Sequence, residues 1–472
     1  MAGYAVVPAG SVTATRPAPT LRHRGLAVAI VLLILLLSLG GGSLATGQLP
    51  LAVVFWAGGL VVGIITVAAY RLRPLEWCVI LMPITFYAPL GVTFNVSLAD
   101  VVLAAVAVAL VFRLVRGGQP IRVHRGALGF LLLLIGVMLV SLLVAAAQQT
   151  LRSGLVGVIA VAKIMLVGGY LLWFSGSRPD PDRVRRLLYC WVFAAVGVVV
   201  TGSLGIWLYS RGIHLGISYY FRLTGPFEDP NAAGTYLLMS IGIALAYWMA
   251  YGRPWALVPV VLLVIGIVLT GSRGLLIAVA GAVVLAPILT FTRPSASRLL
   301  GRLLLLAGVL LLVGLVALPI APAGVFDDLI ARLSGKGGSL TADPRFMYWD
   351  HAIQEWSAHP ITGIGVGQFP QSIPPVGGAD VSNVVHNTFL GFLTETGLIG
   401  LAVAVGGWLM IAVIAGRIRI GGVDVAAALI FSVVGVTICT FSLSLENFRP
   451  LWAFAGLVLM LATLCSDYRS PS

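Results

Sequence analysis

Three polar segments interrupt an otherwise apolar chain, and each holds side chains able to do chemistry: Tyr220 to Asn231 (YFRLTGPFEDPN), Thr270 to Gly274 (TGSRG) and Val385 to Leu390 (VHNTFL). The first two contribute Arg222 and Arg273. Guanidinium forks match phosphate oxygens two at a time and never lose their charge. Together the two arginines therefore suit a diphosphate, which is the leaving group of lipid-linked sugar donors. The third segment contributes His386 beside Asn387; an imidazole, with an ordinary pKa of about 6.5, is the natural general base at neutral pH. Residue type alone does not decide these roles. Arg273, in a short turn between apolar runs, is also placed to snorkel to lipid phosphates. Arg222 can pair with Glu228 or Asp229, and His214, His351 and His359 fall on the same predicted side as His386.

Other groups are less specific. Glu395 lies nine residues after His386, so the two share a helix face only loosely, and a packing or polar-network role is the alternative. Lys163 falls near the middle of an apolar run, where an ionisable residue is a functional candidate by default, but it has no partner identifiable from sequence. Ser272 and Thr388 lack the Ser/His/Asp context of a nucleophile. The chain is read as offering no Asp-x-Asp pair that would hold a sugar-nucleotide metal and no clustered metal ligands, so neither a metal nor a cofactor is expected. The 4 Cys sit in apolar runs without disulfide or zinc spacing. Gly363-Ile364-Gly365-Val366-Gly367 fits neither a P-loop nor a dinucleotide fingerprint.

The elements that must hold these residues are legible in the composition. Of 472 residues 59% are apolar and only 10% charged, with mean hydropathy +1.05. A soluble domain carries about 25% charged residues, so a soluble enzyme is excluded. The net charge of +13 is spread in short clusters between apolar stretches rather than gathered on one surface, which argues against a nucleic-acid partner. The reading is an all-α polytopic membrane protein with about 14 transmembrane helices. Spans are expected at 26–45, 51–70, 75–91, 96–113, 126–147, 154–174, 187–208, 232–250, 255–270, 274–292, 303–321, 387–415, 423–444 and 450–465.

The chain thus divides into a disordered tail (1–25), a first set of spans (26–321), a long loop (322–385), the last spans (386–466) and a short tail (467–472). Most basic residues, including Arg22, Arg24, Arg71, Arg73, Arg113, Arg116, Arg183, Arg185, Arg298 and Arg417, fall on one side of this arrangement. By the positive-inside rule that side is cytoplasmic, with both termini, and the three chemical segments and the long loop are extracytoplasmic. Within the loop, Asp343-Pro344 reads as a helix start, and Phe346, Trp349, Ile353 and Trp356 recur at helical spacing, predicting an amphipathic helix. The Gly- and Pro-rich stretch after it predicts turns.

The motifs together resemble the O-antigen ligase and O-antigen polymerase superfamily of bacterial envelope proteins. The residues that carry the resemblance are Arg222-Leu-Thr-Gly-Pro-Phe-Glu-Asp-Pro-Asn231, Gly271-Ser-Arg-Gly274, Asp343-Pro-Arg-Phe-Met-Tyr-Trp349 running to Gly363–Gly367, and His386-Asn-Thr-Phe-Leu-Gly-Phe-Leu-Thr-Glu-Thr-Gly-Leu-Ile-Gly-Leu401. The resemblance covers about 221–401, whereas the first 200 residues match only in being membrane spans. It implies an inverting, metal-independent glycosyltransferase of the bacterial cytoplasmic membrane. Such an enzyme takes a glycan from undecaprenyl diphosphate and passes it to a glycan, lipid or protein acceptor at the outer face, surrounded by membrane lipid.

On that resemblance Arg222 and Arg273 take the diphosphate-binding roles and His386 activates the acceptor hydroxyl, with Asn231, Asn387, Glu395 and Arg345 in support. About fourteen expected spans exceed the twelve typical of ligases, which leans toward a polymerase or a divergent branch. A flippase for the same lipid-linked glycans is the competing class. It needs a charged cavity open in turn to both sides, whereas few ionisable residues fall inside the expected spans.

Overall fold

Apolar runs become helices here because a helix satisfies its own backbone hydrogen bonds where water is absent. The computed structural model describes residues 21–89, 93–118, 122–148, 151–227, 229–317, 331, 344–373 and 384–467. The expected tail up to Thr20, Glu228, the Asp343 helix start and residues 468–472 lie outside the described residues. The helices are α1 (Leu21–Ala45), α2 (Leu49–Tyr70), α3 (Pro74–Leu81), α4 (Leu98–Val115), α5 (Arg125–Gln148), α6 (Leu151–Gly176), α7 (Pro181–Tyr209), α8 (Pro230–Tyr251), α9 (Leu257–Leu269), α10 (Arg273–Leu289), α11 (Pro294–Ala317), α12 (Pro344–Ala358), α13 (Phe369–Ser372), α14 (Thr388–Ala415), α15 (Ala426–Thr440) and α16 (Arg449–Asp467). Three two-stranded hairpins pair β1 (Thr85–Pro89) with β2 (Thr93–Ser97), β3 (Ser218–Tyr219) with β4 (Arg222–Leu223), and β5 (Arg419–Ile420) with β6 (Val423–Asp424), all antiparallel.

Among the described residues, 9 helices are long and apolar enough to cross a membrane. Shorter apolar helices follow at Pro254–Leu269, Arg273–Leu289, Ala426–Thr440 and Arg449–Cys465. One expected span is corrected. Residues 75–91 are not a single helix but α3 followed by β1. Pro83 removes a backbone donor just past Leu81, and the β-branched and aromatic run Ile84-Thr85-Phe86-Tyr87 favours a strand. The span expected at 303–321 starts earlier, at Pro294, so Arg298 and Arg302 lie on a helix and not in a loop. Arg298 donates to the Asp424 carbonyl at 3.1 Å, and the Arg302 guanidinium lies 4.9 Å from the Trp248 ring centre.

The centre of the bundle is α8, with 94% of its apolar window buried, whereas α4 at 11% and α2 at 17% present apolar side chains outward as lipid-facing helices do. Small residues let the centre close up. A methyl group on Gly242 would collide with Ser432 and Ala428 of α15, and the Ser432 hydroxyl donates to the Met239 carbonyl at 2.8 Å.

Helix lengths shape the site end. At 1.5 Å per residue, α9 with 13 residues and α15 with 15 reach only about 20 Å, short of the roughly 30 Å hydrocarbon layer. Their neighbours α7 and α14 have 29 and 28 residues. The β3–β4 hairpin packs along the last turns of α7, with Leu223 against Gly202 and the Tyr220 and Phe221 rings 5.9 and 5.0 Å from the Tyr209 ring. The loop that follows α15 borders a recess whose wall also takes in residues of α6 and α14.

A buried ion pair fixes this recess. Arg449, at the start of α16, donates through Nε to both Asp100 carboxylate oxygens at 2.8 and 2.9 Å, and its terminal nitrogen lies 2.7 Å from Oδ2. The Tyr170 hydroxyl of α6 and the Ser97 backbone N–H also donate to Asp100, at 2.6 and 2.9 Å. Every acceptor position of the carboxylate thus has a partner, the condition under which a buried pair holds together. The pair ties α4, α6 and α16 at one level.

Candidate active site

Arg222 sits on β4, and its Nε donates to the Thr270 carbonyl at 2.7 Å. Thr270 ends α9, and Gly271 then turns the chain with φ of +61°, so Arg273 opens α10 within three residues of the group that Arg222 holds. The two arginines are therefore brought into one cluster, with Arg222 half-buried and Arg273 exposed. Of the two acidic residues that could pair with Arg222, Glu228 lies outside the described residues, and Asp229 caps α8, accepting from the Asn231 N–H at 2.9 Å and the Asn231 side-chain amide at 3.0 Å. Asn231 is thus placed in the α8 cap.

The loop from Phe441 to Phe448, between α15 and α16, joins this cluster to His386. On one side the Ser442 hydroxyl lies 3.3 Å from where a methyl on Gly274 would stand. On the other, the buried Thr388 hydroxyl donates to the Leu443 carbonyl at 2.7 Å and accepts from the Leu445 N–H at 2.8 Å. The Phe389 and Phe441 rings meet edge to face at 5.4 Å. The three segments picked out in the sequence thus converge through a fourth that was not, because residues 441–448 read as the end of one span and the start of the next.

The α14 helix opens at Thr388 rather than at His386. Asn387 is its cap, accepting from the Leu390 N–H at 3.0 Å, so Asn387 supports the site by ending the helix cleanly. His386 lies just outside with φ of +52°, a left-handed conformation that a residue with a Cβ adopts only under constraint. The constraint comes from both sides, since Trp349 donates to the Val385 carbonyl at 3.0 Å and Thr388 is latched to the loop.

The other histidines are engaged elsewhere. The His351 ring lies 3.0 Å from the Ser372 hydroxyl and 3.4 Å from Glu355, His214 packs on Tyr209 with ring centres 4.7 Å apart, and His359 ends the helical stretch α12. The α12 helix buries Tyr348 and Ala352 against Ile364, Phe369, Ile373 and Val385. Of the side chains expected to form its apolar face, Trp349 packs there, but Phe346 and Ile353 stay about half exposed. Arg345 lies in its first turn.

Glu395 and the glycine loop explain each other. Gly397 has φ of +68° and breaks α14, which frees carbonyls from their helical partners. The loop supplies replacements: the Ile364 N–H bonds the Thr394 carbonyl at 3.0 Å, the Gly365 N–H bonds the Glu395 carbonyl at 3.1 Å, and the Leu398 N–H bonds the Pro360 carbonyl at 3.0 Å. The Glu395 carboxylate accepts from the Gly367 N–H at 2.9 Å and the Phe369 N–H at 3.4 Å. A Cβ on Gly363 would collide with the backbone of Glu395 and Thr396, so this close approach requires glycine. The glycines cradle a carboxylate of the chain itself.

Glu395 lines a cavity of about 650 Å³ that also holds Lys163, Thr388, Ser444, Glu446 and Asn447. Lys163, which has no obvious partner in the sequence, lies within electrostatic reach of Glu446. At the far end of α7, Asp180-Pro181-Asp182 does have Asp-x-Asp spacing. Asp180 caps that helix and pairs with Arg183 at 3.0 Å, while Asp182 lies 3.5 Å from Arg185, so these carboxylates are taken up locally.

Residues 258–405 match the family model described as O-antigen ligase. Over these residues the chain is similar to the O-antigen ligase family. The match takes in Arg273, Arg345, His386 and Glu395, as the motif resemblance implied. No curated protein matches the chain. Packed against the matched residues from outside them are Arg222, Lys163 and the 441–448 loop. The candidate cluster therefore extends beyond the matched residues in both directions along the chain.

Proposed function

We propose that this protein is an inverting, metal-independent glycosyltransferase that passes a glycan from undecaprenyl diphosphate to an acceptor hydroxyl at the outer face of a bacterial cytoplasmic membrane. What carries the reading is the meeting of the Arg222, Arg273 and His386 segments around one loop in a chain that is similar to the O-antigen ligase family over residues 258–405. In this mechanism Arg222 and Arg273 hold the diphosphate and offset the charge that builds as it departs. His386 takes the proton from the acceptor hydroxyl as that oxygen attacks the anomeric carbon from the opposite face. The bond to the acceptor oxygen forms as the bond to the diphosphate breaks, so a single displacement inverts the centre.

The membrane arrangement fits the same reading. Counting α3 with its hairpin as an outward crossing and α4 as the return gives about fourteen crossings and leaves both termini on the cytoplasmic side. Arg71, Arg73, Arg113 and Arg116 stay on that side whether the α3 unit crosses fully or turns back. The recess with the arginines then opens outward.

The test is transfer by the purified protein in nanodiscs, with undecaprenyl diphosphate glycan, an acceptor glycan and EDTA. Wild type should form product of inverted configuration, and Arg222→Ala and Arg273→Ala should lose both donor affinity and turnover. Donor movement across sealed vesicles without transfer would replace this reading with that of a flippase.

A further inference from the structure

The cavity beside the site holds polar groups that donor binding leaves unused. Lys163, Glu395 and Glu446 share its wall with Asn447, whose Oδ1 is buried with no hydrogen-bond partner. About 650 Å³ lies within the range of pockets that enclose small organic ligands. Lys163 stands about 18 Å along α6 from Leu151, at a depth where an ionisable side chain is costly unless it serves a purpose. Glu395 receives two backbone N–H groups, and a carboxylate has about four acceptor positions, so capacity remains for a ligand.

The chemistry of the wall excludes a second phosphate site. The wall offers one ammonium, no guanidinium fork and two carboxylates, a poor match to the oxygens of a diphosphate. Hydrogen-bond acceptors, one strong donor and the apolar rings of Phe369 and Phe392 instead suit a ring that carries many hydroxyls and has an apolar face. That is a sugar. Position adds the second half of the argument. Ser442 of the 441–448 loop faces the Arg273 turn, while Ser444 and Glu446 of the same loop line the cavity. Val385 and Thr388, on either side of His386, also line it. His386 therefore stands between two residues of the cavity wall, and the 441–448 loop links that wall to the Arg273 turn.

We propose that this cavity is the subsite for the terminal sugar of the acceptor glycan. Glu395, Glu446 and the Asn447 carbonyl accept hydrogen bonds from its hydroxyls, and Lys163 donates to its oxygens. The assignment to the acceptor rests on the transferase reading above; the sugar-binding chemistry does not.

Two probes separate the readings: methyl glycosides of neutral hexoses and N-acetylhexosamines, and inorganic pyrophosphate, each followed by ligand-observed NMR on the full-length protein in nanodiscs. Glu446→Gln and Lys163→Met should weaken glycoside binding roughly 10- to 100-fold, as expected for losing a hydrogen bond to a charged group, and leave pyrophosphate binding unchanged. Arg273→Ala should do the reverse. Asn447→Ala removes an oxygen that holds nothing in the fold and should also weaken glycoside binding, which guards against misfolding of the charge variants. In the transfer assay, Glu446→Gln should raise the acceptor KM and leave the donor KM unchanged. No glycoside binding by wild type, or equal binding by wild type and all three cavity variants, would overturn the proposal, as would loss of pyrophosphate binding in the cavity variants. Intact glycoside binding without any transfer would refute the transferase reading and leave the sugar site standing.

Discussion

Replacing Thr388 with valine keeps the volume and the β-branch and removes only the hydroxyl that latches α14 to the 441–448 loop. Thr388 is 7% exposed, and its hydroxyl serves two backbone groups, the Leu443 carbonyl at 2.7 Å and the Leu445 N–H at 2.8 Å. Leaving a buried polar group unpaired costs about 1–3 kcal/mol. Two such groups give a total of about 2–6 kcal/mol, and the lower end applies if the loop relaxes toward the neighbouring cavity. Even about 2 kcal/mol shifts the unfolding equilibrium roughly 30-fold. The same loop spaces the Arg273 turn from His386, so transfer should fall more than stability alone accounts for. Unfolding in mixed SDS micelles, followed by tryptophan fluorescence, reads the first effect and product formation reads the second. Thr388→Ser should restore both. Wild-type stability and transfer in Thr388→Val, or a serine variant as impaired as the valine one, would refute the latch.

Other substitutions test the surrounding frame. Asp100→Leu strands the Arg449 guanidinium in a buried position and should cost about 3–5 kcal/mol in the same unfolding assay, whereas adding Arg449→Met should recover at least half of the loss. A double variant weaker than the single would show that the pair is not the unit described. Gly363→Ala should abolish transfer and lower stability, because its Cβ meets the Glu395 backbone and its φ is +70°. Gly308→Ala, with nothing within 4 Å, should be neutral or stabilise by up to about 1 kcal/mol. Equal behaviour of the two alanine variants in the unfolding assay would remove the argument for the glycine cradle.

Most helices were legible because a run of about twenty apolar residues has few other stable forms in lipid. The exception at 75–91 shows the limit of hydropathy. A run of buried apolar residues reads the same whether it is helix or strand, and only Pro83 and the β-branched residues after it signalled the hairpin. The arginine and histidine segments were legible as motifs, and Arg222 does reach the turn that bears Arg273.

Their meeting through residues 441–448 was not legible. Ser442, Ser444 and Glu446 look like an interfacial loop, and only tertiary packing sets Ser442 against Gly274 and the other two in the cavity wall. Lys163 had no partner in the sequence because Glu446 reaches it only by tertiary packing, and the same holds for Asp100 with Arg449. A signal was present, since ionisable residues of opposite sign within apolar runs tend to pair, but the sequence offered no means of choosing between partners. The glycines at 363–367 were correctly read as turns; their function was hidden because the carboxylate they cradle lies on another element.

The most direct test of the mechanism compares wild type with His386→Ala for both donor binding and glycan transfer, in nanodiscs with EDTA present. If His386 acts on the acceptor hydroxyl, the variant should bind undecaprenyl diphosphate glycan within about threefold of wild type and lose transfer by about 10²-fold or more, as for a missing general base. Transfer by His386→Ala at the wild-type rate would contradict the account.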